Sequence, residues 1–195
     1  MARSSPRRSS SSTSPHVPGA RKAPDASLPR VWKGVEYRPL TDPGPARELF
    51  TFAAAARPAV VDADLALGAW ADGTRLVGAV LAERDGPSAL LYGPVVVADD
   101  EALEIAEQLV AAAIDLATAR GVQTLFTRPQ GLDRVWVRFG FIPVPEVGLP
   151  AGLRGRPGAG LFAYRGGSAL WSLRPAAGAE PGDRAPGSPV ATGSS

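Results

Sequence analysis

The 195-residue sequence has no cysteine, one histidine and two lysines, and these three residues all lie near its start, at His16, Lys22 and Lys33. Beyond residue 33 there is no Cys, His or Lys. That absence removes Ser-His-Asp and Cys-His nucleophilic sites, thiolate or imidazole zinc sites, lysine Schiff bases and the lysine of a Walker phosphate loop. No disulfide can form, so the chain needs no oxidising compartment. The longest apolar run, residues 89–98, is too short to cross a bilayer. The expectation is therefore a cytoplasmic protein with no membrane span and no metal, working with carboxylate, hydroxyl, phenol, guanidinium and backbone groups.

What is present is unevenly placed. Residues 1–30 carry six Arg or Lys against one acid, Asp25, leaving 15 against 18 in the remainder. The same stretch has a run of serines, five prolines and hardly any large apolar residue. Such a composition cannot bury enough surface to offset chain entropy, so it reads as a disordered basic tail. An Arg- and Ser-rich, acid-poor start also fits an organelle transit peptide, although it lacks an amphipathic apolar stripe. Nucleic acid is not an expected partner beyond nonspecific contact through this tail. Residues 175–195, built of Pro, Ala, Gly and Ser, read as a second tail. Residues 31–174 remain, one ordinary domain able to bury roughly two thirds of its unfolded surface.

Within that domain, residues 35–40 predict a first strand, and Thr41-Asp42-Pro43 announces a helix over 46–56. Asp72-Gly73 sits between apolar runs 65–70 and 74–82, which predicts a hairpin. A second turn at 85–88 leads to an apolar strand over 89–97. Leu103, Ala106, Val110, Ala113 and Ala117 then fall on one face of a helix of about twenty residues, ended by Gly121. A buried strand over 122–127, a short helix over 132–139 and strands near 141–144, 161–164 and 169–173 complete the pass. Strand, long helix, strand implies a parallel crossover in an otherwise antiparallel sheet. The class is α+β with a mixed sheet, in the order β-α-β-β-β-α-β-α-β-β.

Several strings in that order resemble the GNAT superfamily of acyl-CoA-dependent N-acyltransferases. Glu36-Tyr37-Arg38-Pro39-Leu40 is similar to the family's opening strand, and residues 68–78 resemble its hairpin. Arg120-Gly121-Val122 matches the usual helix exit, and Val135-Trp136-Val137-Arg138-Phe139-Gly140-Phe141 resembles the terminal "fYeklGF" segment. The resemblance covers roughly residues 35–145. It implies acetyl-CoA or another acyl-CoA as cosubstrate, held by backbone of Val95, Val96 and Val97 and by the turn into the long helix, where Ala106 conforms to the motif. It implies an amine acceptor, small molecule or protein. A homodimer is left open.

The departures from the family bear on catalysis. The phosphate turn of the family carries Arg/Gln and glycines; Glu101 and Glu104 stand at two of those positions, after Asp99 and Asp100. At about 5 Å in a water-like dielectric each like-charge pair costs roughly 0.8 kcal/mol. Two carboxylates facing a doubly charged pyrophosphate cost about 3 kcal/mol, on the order of a hundredfold in affinity. Acids in a first helical turn also have a purely structural use, satisfying free amides and the helix dipole. The family's proton-donating Tyr is replaced by Trp136, whose indole is no general acid, and its strand-end Asn falls on Pro129. Candidate catalytic residues are then Tyr92 and Glu146, with Glu83 as a further substitute; Glu83 and Glu146 are both expected on exposed turns. Outside the resemblance, the Gly-rich loop 152–160 offers Arg154 and Arg156 as an anion site. Two functions stay open: an atypical acyltransferase, and a catalytically inactive binding module of the same fold.

Overall fold

Asp72 and Gly73 both have positive φ, 53° and 70°, the pair of left-handed conformations that a tight hairpin turn requires. They join strands Leu67–Ala71 and Arg75–Asp85. The computed structural model describes residues 30–98, 101–156 and 170–174. Along the chain run β1 (Arg30–Trp32), β2 (Val35–Pro39), α1 (Gly44–Phe52), β3 (Leu67–Ala71), β4 (Arg75–Asp85), β5 (Ser88–Val96), α2 (Ala102–Ala119), β6 (Thr124–Thr127), α3 (Asp133–Arg138), β7 (Ile142–Val144) and β8 (Leu170–Leu173). The tails at 1–29 and 175–195, the acids Asp99 and Asp100 and the expected strand at 161–164 lie outside the described residues. Arg30, read as the last residue of the basic tail, instead opens β1 opposite Tyr37.

The described strands form one mixed sheet in the order β1-β2-β3-β4-β5-β6-β8-β7. Its one parallel pair is β5 with β6, in register from Ser88↔Thr124 to Leu91↔Thr127. The predicted crossover through the long helix is therefore present. The helix covers one face of the sheet with Ile105, Leu109, Val110, Ala113, Leu116 and Ala117, and Val135, Trp136 and Phe141 join the same core. Leu103, expected on that face, is instead 52% exposed. On the other face Ala46 and Phe50 of α1 pack with Leu81, Leu90, Tyr92, Leu149 and Leu153. Burying a leucine or phenylalanine on either face stabilises by about 1.5–3 kcal/mol.

All three helices stop in the same way. Val122 N–H bonds the Ala117 carbonyl and Gly121 N–H bonds that of Thr118, with Gly121 at φ 75°. Phe141 N–H returns to Trp136 and Gly140 N–H to Val137, with Gly140 at φ 85°. These are left-handed C-terminal caps, the reason α2 and α3 are each followed by Gly and an apolar residue. In α1 the same cap forms on an alanine: Ala55 N–H bonds Phe50 and Ala54 takes φ 50°. That cap ends α1 at Phe52, four residues before the expected end at 56. The chain over 53–56 is left to line the site.

Candidate functional site

One irregularity in β5 makes the site. Ala79 pairs with Val95 and Leu81 with Tyr92, so two steps along β4 face three along β5. The extra residue forms a bulge at Gly93-Pro94, whose peptide bond is cis. Gly93 has φ 94°, and a Cβ there would lie 2.9 Å from both the Ala79 carbonyl oxygen and the Val95 nitrogen. Only glycine fits such a position. Because side chains alternate along a strand, the extra residue turns Val95 to the same face as Tyr92.

Past the bulge, β5 stays paired with β4 as far as Gly78↔Val96. Its pairing with β6 stops at Leu91↔Thr127. The two parallel strands thus open into a gap whose apex lies between Tyr92 and Arg128. A cavity of about 270 Å³ occupies it, lined by Ala53–Ala56, Tyr92, Val95, Val96, Arg128, Gln130 and Trp136 among others. Its lining draws on both faces of the sheet, with Tyr92 and Val95 from one core and Trp136 from the other. Val97 stands apart: its N–H donates to the Val77 carbonyl and its backbone amide is already used.

Trp136 leaves the gap open. It is 1% exposed, and its ring meets Phe141 edge-on with centroids 4.9 Å apart. The Trp that replaces the expected Tyr is thus a core residue on α3 holding the Gly140-Phe141 cap.

Glu83 overturns its reading as an exposed turn residue. It lies inside β4, 4% exposed, on the face shared by Ala79 and Leu81. Its Oε1 accepts from the Ala59 N–H at 3.0 Å and from the Tyr92 hydroxyl at 3.4 Å. Arg156 pairs with its Oε2. Burial pushes the Tyr92 phenol far above its ordinary value, and the Glu83 charge pushes it the same way. The phenol therefore stays protonated at any working pH, facing the cavity on one side and a buried carboxylate on the other. Glu83 also borders a second cavity, of about 440 Å³, with Asp62, Arg84, Gly152 and Arg156.

The two arginines of the Gly-rich loop go to different partners. Arg154 donates to the carbonyls of Leu149 and Val147, and Arg156 donates to Gly152 besides Glu83. They brace the loop rather than converge on one anion. Glu146, on a short helical turn with its side chain 52% exposed, is the partner of Arg128 at 2.7 Å. Arg128 escaped the sequence reading. Its side chain is 6% exposed, and its Nε and Nη1 have no hydrogen-bond partner among the described residues. Each buried unmatched donor costs about 1–3 kcal/mol.

At the far end of the gap, Glu101 caps α2 with φ 57° and no side-chain hydrogen bond to the helix. The Glu101 carboxylate caps no amide and instead pairs with Lys33 from the β1–β2 turn, while Glu104 lies in the first turn, where its charge suits the helix dipole. That hydrogen bond raises the Lys33 pKa above its ordinary value. The first intrahelical bond runs from Ile105 N–H to the Glu101 carbonyl, so the amides of Ala102, Leu103 and Glu104 are the free ones. Ala106 lies beyond them with its side chain in the core. Among the described residues no helix is long and apolar enough to cross a membrane, and no group of three metal-ligating side chains occurs.

The sequence matches no family model and no curated protein. Solved structures do match. N-acetylglutamate synthase from Neisseria gonorrhoeae complexed with coenzyme A and N-acetyl-glutamate superposes with a TM-score of 0.53 at 17% identity, over 72% of this chain and 35% of that one. The same enzyme complexed with coenzyme A and L-arginine gives 0.54 at 18%, over 72% and 33%. The fold is that of the GNAT acetyltransferases. An acetyltransferase of the GNAT family from Staphylococcus aureus Mu50 also matches, at 14% identity and a TM-score of 0.44, over 56% of this chain and 66% of its own. The chain spans about a third of the length of the synthases. Its GNAT sheet carries the bulge and gap just described.

Proposed function

We propose that this chain is an acyl-CoA-dependent N-acyltransferase, moving an acetyl or other acyl group onto an amine. The observation that carries the reading is the open gap between β5 and β6, with its cavity at the bulge. A cavity between splayed strands can take a narrow chain such as the pantetheine arm of coenzyme A, and the two synthase structures named above hold coenzyme A. The acidic start of α2 fits the phosphates less well, though Lys33 stands beside Glu101 and can turn to a phosphate instead.

Acyl-CoA supplies an activated thioester; the chain supplies position and a path for a proton. Backbone of Val95 and Val96 holds the arm, which places the thioester near Tyr92 at the apex. The amine nitrogen bonds to the thioester carbon, the C–S bond breaks and the electron pair leaves with the CoA sulfur. The proton lost by the amine passes to the Tyr92 hydroxyl as that hydroxyl hands its own proton to Glu83. Tyr92 is a poor direct donor to the departing thiolate, because a thiol of pKa about 8.5 does not draw a proton from a phenol whose pKa is higher still. The thiolate takes its proton from solvent.

Release of free CoA thiol from acetyl-CoA, followed across a panel of small amines and basic peptides, tests this. Turnover with at least one amine, cut about a hundredfold in kcat by Tyr92→Phe, is the expected result. No release above the uncatalysed rate with any amine, while acetyl-CoA binds, would favour the second reading, a GNAT-fold binding module. The carboxylates of Glu101 and Glu104 at the phosphate turn are the observation on its side.

A further inference from the structure

Arg128 is the one charged residue among the described residues that line the gap cavity, and its ion pair with Glu146 leaves part of the guanidinium without an acceptor among those residues. Glu146 takes a hydrogen on Nη2 from an exposed turn. Nε and Nη1, with three N–H groups between them, are buried without an acceptor. A cation held dry and half-satisfied is costly unless an anion joins it for part of the working cycle. Register fixes where that anion would sit. Thr127 is level with Leu91 at the last β5–β6 pair, so Arg128 is level with Tyr92, at the apex where the bulge turns β5 away. The free amides that start α2 lie beyond Val96, at the opposite end of the gap. The phosphates of coenzyme A belong to that opposite end, which leaves the reacting groups for Arg128.

We infer that Arg128 recognises a carboxylate carried by one of the two reactants at the apex of the gap. The inference rests on the acyltransferase reading and narrows its substrate class. The carboxylate belongs either to a dicarboxylic acyl group or to an amino-acid-like acceptor, and a planar guanidinium suits both. Glu146 is the competitor that occupies Arg128 between turnovers.

The test uses the full chain and defined probes. Isothermal titration compares succinyl-CoA with acetyl-CoA; with CoA present, it compares each free amino acid with its methyl ester. Tighter binding of succinyl-CoA, by tenfold or more, identifies the acyl source. An equal preference for a free amino acid over its ester identifies the acceptor. In either case Arg128→Gln collapses the preference toward one, and Glu146→Gln raises it severalfold by removing the competitor. A merely structural ion pair would move both variants in the same direction. Acetyl-CoA binding with no carboxylate preference, or a preference that survives Arg128→Gln, overturns the inference and leaves the acyltransferase reading standing. Failure of acetyl-CoA to bind overturns both.

Discussion

The two ends of the β5–β6 gap are built from different materials. The apex is made by backbone geometry: a bulge, a glycine at φ 94° and the early end of β6. Around it stand Tyr92, Glu83 and Arg128, each more than nine-tenths buried. The far end is made by side chains at the start of α2, exposed and largely acidic, with Lys33 as the one cation paired there among the described residues. A feature written in strand register depends on few side chains beyond the glycine that permits the bulge, whereas a charge-dependent turn depends on each charged residue in it. That difference separates an apex set by backbone register from a far end set by charge.

The apex is disrupted most severely at Gly93. Gly93→Ala forces a Cβ to within 2.9 Å of backbone on both sides, so unfolding should become easier by about 3 kcal/mol. Acetyl-CoA binding should fall with it, measured by denaturant melts and titration. An intact gap in that variant would mean the bulge does not make it. Next in size is the proton path: Tyr92→Phe should lower kcat about a hundredfold and leave stability within about 1 kcal/mol. Unchanged kcat would move the path elsewhere. At the far end, Glu101→Gln with Glu104→Gln should tighten acetyl-CoA by about tenfold at low ionic strength, and by less in salt. Equal affinity in all salts would place the phosphates away from α2. The smallest effect is expected at Ala54, which pays for a left-handed cap with φ 50°. Ala54→Gly should stabilise by about 0.5 kcal/mol, visible as a small rise in Tm.

Most of the fold was legible because it is local. The Asp72-Gly73 turn, the Gly121 and Gly140 caps and the apolar face of α2 are each readable in a few neighbouring residues. The site was less so. Glu83 looked exposed because Asp85-Gly86 follows it so closely. Yet Ala79, Leu81 and Glu83 alternate on one face, and that period of two was the available signal of burial. What completes the burial comes from far along the chain, Ala59 at 24 residues and Arg156 at 73. Arg128 carries no local mark at all: its burial depends on where β6 stops and on Glu146, 18 residues on. The end of α1 was misread because its left-handed cap falls on alanine, a residue with no preference for that conformation.

On the proposed function, the gap between β5 and β6 takes the acyl-carrying arm of acyl-CoA. Amide hydrogen exchange of the full chain, with and without saturating acetyl-CoA and alongside a calorimetric titration, tests it most directly. Micromolar binding, with new protection concentrated on residues 92–96 and the loop after Thr127, is the predicted result. No heat and no change in exchange at millimolar acetyl-CoA would contradict it.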